Sequence, residues 1–253
     1  MSDVQLLVPT TGIYFHETVG ESPMVRTSLA AWWKEFSIQK PSLFNGPLIA
    51  CRDCEQSPIG AIHIAWYETD YAHYMQRLAV SPITTPPRAI FCSVALLATS
   101  GDLLVGRMAE ETASPGRLQL PGGNVTVGRT GLLSAESCAE EACREFQEEI
   151  GIALLLDELS LWRVKAGGQF DDVGVIFKCE PGRSEREIRE AFDLHVQTVR
   201  RAGMSSEFEE LLFVGTDFFA GGISHEWVDY LPVVARELGQ SPAERKVCNS
   251  LVS

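Results

Sequence analysis

The sequence predicts an α/β fold, α+β in its finer grouping, with a mixed sheet set among helices. Three observations carry that prediction. Short β-rich runs recur along most of the chain, two long segments place apolar residues at helical spacing, and glycine- and proline-bearing turns separate the two kinds of segment. Residues 28–36 read as a helix with Trp32, Trp33 and Phe36 near one face. Residues 48–52 and 59–66 read as strands, and Thr69 or Asp70 can cap a short helix running to Leu78. Three prolines within residues 81–87 suit neither helix nor strand and mark a linker. Residues 1–86 are therefore expected to form a small α+β region packed on the core, and residues 87–253 the main domain.

Within the main domain, residues 89–99 are β-rich, and Ser100-Gly101-Asp102 turns the chain into a strand at 103–107. A short strand at 118–120 ends at Pro121-Gly122-Gly123. The strongest helix spans 135–150, with Ala135, Cys138, Ala139, Ala142, Phe146 and Ile150 at helical intervals and Gly151 as its stop. Strands are expected at 161–165, 173–178 and 211–215, a second long helix at 185–201, and a partly helical stretch at 223–238 that carries Pro232.

Composition narrows the function classes. The chain has 253 residues, 34 acidic against 21 basic, and a net charge of −13. That balance argues against a broad basic surface for nucleic acid. Its longest apolar runs, 94–98 and 152–156, are too short to span a bilayer, and its start lacks a secretory pattern, so a cytoplasmic protein is expected. Seven cysteines at scattered spacing favour free thiols over a disulfide framework. Cys51 and Cys54 form a CxxC without a second close pair to complete a zinc site, and the five histidines show no HxxxH spacing.

The informative residues lie on the helix at 135–150. Glu136 is followed, after seven residues, by Arg144-Glu145-Phe146-Gln147-Glu148-Glu149-Ile150-Gly151-Ile152. Glu145, Glu148 and Glu149 stand at i, i+3 and i+4 and share a helix face, where their mutual repulsion destabilises the helix. Hard divalent cations that prefer oxygen, magnesium or manganese, offset that repulsion and can bridge such a surface to a phosphate. Arg144 beside them can hold a carboxylate in place.

From Glu136 to Ile152 these residues resemble the Nudix box, GX5EX7REUXEEXGU, with U a bulky apolar residue. The resemblance implies an α/β/α sandwich with a mixed sheet. It also implies hydrolysis of a diphosphate bond in a nucleoside diphosphate-linked small molecule, with Mg2+ or Mn2+ as cofactor and a homodimer as an open possibility. By resemblance, Glu136, Glu145, Glu148 and Glu149 are metal-site residues, Arg144 orients them, and a carbonyl near Gly122 and Gly123 adds a ligand. The chain departs from the pattern upstream. Thr130 stands where the box places its first glycine, so Gly123 aligns better, with a seven-residue insertion around 127–133 in which Arg129 can reach a phosphate.

The general base varies in the family. It falls here to Glu145 or Glu148 in the box, or to a later carboxylate among Glu207, Glu209, Glu210, Asp171 and Asp172, with Glu207 the choice. Residues 41–47 (Pro-Ser-Leu-Phe-Asn-Gly-Pro) and 69–74 resemble segments of Nudix enzymes that act on UDP-sugars. A UDP-glucose-like substrate is therefore expected first and an ADP-ribose-type substrate next. Phe170, Trp227 and Tyr230 are candidates to stack on a base or sugar. Two further readings are a non-catalytic nucleotide-binding module and a Nudix-fold isomerase, the latter opposed by the intact box.

Overall fold

The computed structural model describes residues 3–20, 23–40, 43–79, 87–112, 114–127, 131–219 and 226–239. The first part of the chain supplies β1 (Gln5–Leu7), β2 (Ile13–Glu17), α1 (Pro23–Gln39), β3 (Pro47–Gln56), β4 (Ile62–Asp70) and α2 (Tyr71–Ala79). The rest supplies β5 (Arg88–Leu96), β6 (Leu103–Met108), β7 (Leu118–Gln119), β8 (Gly122–Asn124), α3 (Ala135–Ile150), β9 (Leu159–Ala166), β10 (Val173–Cys179), α4 (Glu185–Arg201), β11 (Phe208–Val214) and α5 (Leu231–Gly239).

An eight-stranded mixed sheet runs β1-β9-β10-β5-β3-β4-β2, with β8 also paired to β5, and β11-β6-β7 form a second sheet. β5 organises the larger sheet. It lies parallel to β10, and along its other edge it pairs first with Ala50 and Cys51 of β3 and then, at Phe91–Ser93, with Gly122–Asn124. Residues before the linker thus enter the same sheet twice, through β3 at its middle and through β1 against β9 at its edge.

Strand alternation explains why helices cover both faces. Ile90, Cys92, Val94 and Leu96 of β5 and Val173, Val175 and Phe177 of β10 pack in one core with Phe146 and Ile150 of α3 and Ile188 and Phe192 of α4. Ala95 and Ile176, at the opposite parity, join a second core with Leu231 and Val234 of α5. Ile13, Ile49, Ile62 and Trp66 of the early strands belong to the first core. The arrangement is the layered mixed α/β fold that the sequence predicts.

α3 and α4 have the bounds expected from the sequence. Ser134 caps α3: its hydroxyl accepts from the Ser137 N–H at 3.1 Å, and the Ser137 hydroxyl accepts from the Ser134 N–H at 2.9 Å. Gly151 ends the helix with φ 80°, and a β-carbon there would lie 2.4 Å from the Cβ of His195 on α4, so glycine is required twice over. Ser134→Ala is expected to destabilise the protein by about 1 kcal/mol, read by urea unfolding with unchanged catalytic constants. No change in the midpoint would deny that this cap supports the fold.

Several elements differ from expectation. β1 and β2 were not visible as sequence runs, being short and stabilised by distant partners. β4 begins at Ile62, not at 59, because residues 57–60 turn with Gly60 at φ 80°. Gly122–Asn124 form a strand where a loop was expected. β11 starts at Phe208, three residues early. α5 starts at Leu231, with Pro232 in its first turn, where a missing N–H costs little. The linker at 81–87 lies outside the described residues except for Pro87. Among the described residues no helix is long and apolar enough to cross a membrane.

Candidate active site

Two stripes share α3. Cys138, Ala142, Phe146 and Ile150 face the core, and Glu141, Glu145 and Glu149 lie beside them at intervals of four. Helix geometry therefore turns this second stripe toward β8, and the carboxylates are drawn partly out of water. Glu149 is only 2% exposed. Its Oε2 accepts from the Gly122 N–H at 2.8 Å, and its Oε1 is buried with no hydrogen-bond partner. Glu145 lies against Gly123, where a β-carbon would sit 2.7 Å from its carboxyl carbon. The two glycines thus let the strand come within reach of the two glutamates.

Arg144 binds the remaining carboxylates. It donates to Glu141 through Nε at 3.2 Å and Nη2 at 2.8 Å, to Glu148 at 2.6 Å, and to Glu145. The bonds with Glu141 are the main cause of its raised pKa. Glu141 is buried and was not singled out from the sequence. A glutamate on the periodic buried stripe, three residues before the box arginine, was the available signal. Glu148 stays exposed, its carboxylate turned to Arg144.

Burial pushes the Glu149 carboxyl well above the usual carboxylate range, with the charge on Glu207 next in effect and the Gly122 N–H opposing. Burial likewise raises Glu145, against the pull of Arg144, and raises Glu207, with Glu148 adding to it. Glu207 keeps much of its surface open but is set in the cleft wall, just ahead of β11, its carbonyl accepting from the Ala109 N–H at 2.8 Å. The structure therefore gathers Glu145, Glu149, Gly122, Gly123 and Glu207 on one side of the fold.

Other sequence candidates lie outside this group or are committed to other contacts. Glu136 is exposed in the first turn of α3, nine residues from Glu145, which is about 13 Å of helix rise, so it does not join this group. Arg129 lies outside the described residues. Asp172 is a structural anion: it accepts from the Tyr74 hydroxyl at 2.8 Å, Arg77 at 3.2 Å and the Ala89 N–H at 3.0 Å. Asp171 pairs with Arg88 at 3.5 Å and Glu210 with Arg107 at 2.9 Å, while Glu209 is exposed on β11. Among the described residues no group of three or more His, Cys, Asp or Glu side chains is gathered as a metal cage.

A cleft of about 360 Å³ opens beside the glycine pair. Tyr71, Tyr74 and Met75 of α2 form one wall, Val228, Asp229 and Tyr230 another, and Arg117, Lys165 and Phe170 line it between them. Of the proposed stacking residues, Phe170 and Tyr230 line the cleft. Trp227 instead packs edge-on against Phe219 at 5.2 Å.

The glycines make separable predictions. Gly123→Ala places a methyl group against the flexible end of Glu145. The fold is expected to survive, with any turnover falling about 100-fold from carboxylate displacement. Gly122 has φ 147°, and a β-carbon there would lie 2.1 Å from the Cys92 carbonyl oxygen, so Gly122→Ala is expected to disrupt β8 and lower the melting temperature sharply. Circular dichroism melts together with rates distinguish the two. Equal melting losses would contradict the assignment.

No protein-family model matches the sequence, and no curated protein does. The fold is similar to solved Nudix and MutT structures at low identity. A MutT protein from Methanosarcina mazei Go1 is 18% identical with a TM-score of 0.39, over 59% of this chain and 91% of that one. A NUDIX hydrolase from Alicyclobacillus acidocaldarius is 15% identical with a TM-score of 0.40, over 60% and 91%. A bifunctional NMN adenylyltransferase/ADP ribose pyrophosphatase from Francisella tularensis, complexed with AMP and Mn ion, is 13% identical with a TM-score of 0.40, over 66% of this chain and 46% of that one. Likenesses this distant do not say what the present chain acts on.

Proposed function

We propose that this chain is a divalent-cation-dependent hydrolase of the Nudix type that cleaves the diphosphate linkage of a nucleoside diphosphate-linked small molecule. A UDP-glucose-like nucleotide sugar is the first candidate substrate, giving nucleoside monophosphate and sugar phosphate, and ADP-ribose-type diphosphates are the second. The observation that carries the reading is Glu149, a buried carboxylate with one oxygen held by the Gly122 N–H and the other without any partner. A buried carboxylate oxygen left in that state is costly. It sits at the box position that the resemblance assigns to a metal, next to Glu145 and within the field of Glu207.

These residues fit a hard divalent cation. Glu145 and Glu149 would hold it, with a carbonyl of Gly122 or Gly123 and with Glu148 alongside. A bound cation would supply Lewis acidity toward the phosphoryl oxygens and a more acidic water. Arg144 ties Glu145 and Glu148 to Glu141 and so fixes the direction in which both point. Glu207, its carboxyl raised by burial, is the proposed general base, since a carboxylate of higher pKa accepts a proton more readily near neutrality. The sugar-nucleotide preference rests on residues 41–47. Asn45 within them accepts from the Ala72 N–H at 2.7 Å and so fixes the start of α2, a wall of the cleft.

One observation favours a second reading. Arg144 already occupies Glu141, Glu145 and Glu148, which suits a nucleotide-binding module that no longer catalyses. Purified protein incubated with UDP-sugars, ADP-ribose, dinucleoside polyphosphates and CoA, with and without magnesium, separates the two. Magnesium-dependent release of a monophosphate supports the hydrolase. Tight binding without product supports the module and overturns the hydrolase.

A further inference from the structure

We infer that the cleft carries a phosphate-recognition point of its own, built from Arg117 and Lys165 and backed by Phe170. The inference deepens the proposed function by placing a phosphate of the ligand there, and it rests on that reading only for what the rest of the ligand is.

Arg117 stands out by what it lacks. In a protein with 34 acidic and 21 basic residues, unpaired cations should be rare. Yet among the described residues no carboxylate lies within ion-pair distance of Arg117, and its Nε is buried without a hydrogen-bond partner. Its guanidinium carbon lies 5.4 Å from the centre of the Phe170 ring. An aromatic face holds a guanidinium by cation–π attraction while leaving its N–H edge directed elsewhere, which suits planar, two-point recognition of phosphate.

Lys165 is 2% exposed and lines the same cleft. Of its three donors one is used at close range, on the Asp172 carbonyl at 2.9 Å. The nearest carboxylate oxygen, Asp229 Oδ1, is 3.9 Å away, and the other oxygen of Asp229 accepts from the Gln169 N–H at 2.7 Å. The Asp172 carboxylate hydrogen-bonds to Tyr74, Arg77 and Ala89, so it acts on Lys165 only through its charge, which together with that of Asp229 opposes the effect of burial. A buried ammonium with donors to spare and a stacked guanidinium with a free edge both line one cleft of 360 Å³. Glu207 lines the same cleft, and its negative charge gives a phosphate-bearing ligand a preferred direction.

The test needs neither turnover nor metal, so it stands apart from the hydrolase reading. Binding of UMP and AMP, each against its own nucleoside, and of inorganic phosphate is measured by calorimetry on the full chain in EDTA. Each monophosphate is expected to bind at least tenfold more tightly than its nucleoside and than free phosphate. Arg117→Met is expected to bring the monophosphate to within about twofold of the nucleoside, Arg117→Lys to restore part of the gap, and Lys165→Met to narrow it. Melting curves for each variant identify any that fail to fold; Arg117, half-buried and outside the core clusters, keeps the test usable if Lys165→Met does not fold. Equal binding of nucleotide and nucleoside overturns the inference, as does an Arg117→Met protein that keeps the full gap, or no binding of either monophosphate at millimolar concentration.

Discussion

Glu149→Gln is expected to lower turnover on the order of 100- to 1,000-fold, the scale typical of removing one electrostatic group aimed at a reacting phosphoryl or acyl centre, while raising the melting temperature of the metal-free protein. The two effects have a single cause. Glu149 is buried, one of its oxygens has no partner, and burial together with Glu207 holds its carboxyl well above the usual range. A carboxyl whose pKa rises on folding binds its proton more tightly in the folded state than in the unfolded one. Its stabilising contribution is therefore complete below the unfolded value near 4.5 and is lost as pH rises through the raised folded value. Glutamine removes the charge that becomes costly above that window and can still accept from the Gly122 N–H. Magnesium reverses the ranking, because ligand binding to the folded state stabilises the parent protein and not the variant. Scanning fluorimetry from pH 5 to 8, in EDTA and in magnesium, reads all of this beside the rate. Full activity of the variant at saturating magnesium, or no gain in melting temperature without metal, would remove Glu149 from the proposed site.

What the sequence made legible follows the range of the interactions involved. α3 was readable because its apolar stripe and its glycine stop lie within consecutive positions, 135–151, while its Ser134 cap emerges only in the structure. The same local periodicity placed Glu145 and Glu149 on one face. It could not separate them from Glu141 and Glu148. Whether a glutamate on that face is buried, tied to Arg144 or open to solvent depends on β8, and β8 is itself created by pairing with Phe91–Ser93, some thirty residues earlier. Glu136 entered by resemblance, and helix rise alone separates it from the others. The cleft was the least legible part. Lys165, Phe170 and Asp172 reach it from β9 and its connection to β10, and Arg117 from beside β7 of the other sheet, so no spacing along the chain joins Arg117 to the rest. On sequence alone Asp172 is an acid in a loop and a candidate base, and only its three donors reveal a structural anion.

That anion gives the largest expected effect on stability. Asp172→Ala is expected to destabilise the fold by roughly 3–5 kcal/mol, the range for removing one partner from a buried ion pair, against a total of about 5–15 kcal/mol for a typical protein. The deletion strands three donors at once. The Tyr74 hydroxyl and the Ala89 N–H lose their acceptor, and Arg77 keeps only the Pro87 and Phe170 carbonyls. Burial still holds the Asp172 carboxyl above its ordinary value in spite of the Tyr74 bond, Arg77 and Lys165, so the ionised form is itself expensive to keep. Asp172→Asn should accordingly cost much less than Asp172→Ala, since it retains an acceptor and discards the charge. Tyr74→Phe should cost about 1.5–3 kcal/mol, the value for one hydrogen bond to a charged group. Because Tyr74 and its helix wall the cleft while Asp172 fixes that helix to β5, the loss should also weaken ligand binding beyond the loss of folded protein. Urea unfolding of the three variants, with nucleotide titration of the folded fraction, measures both. An alanine variant no less stable than the asparagine one would mean that the three donors find other partners, and that α2 is held to the sheet by its apolar contacts alone.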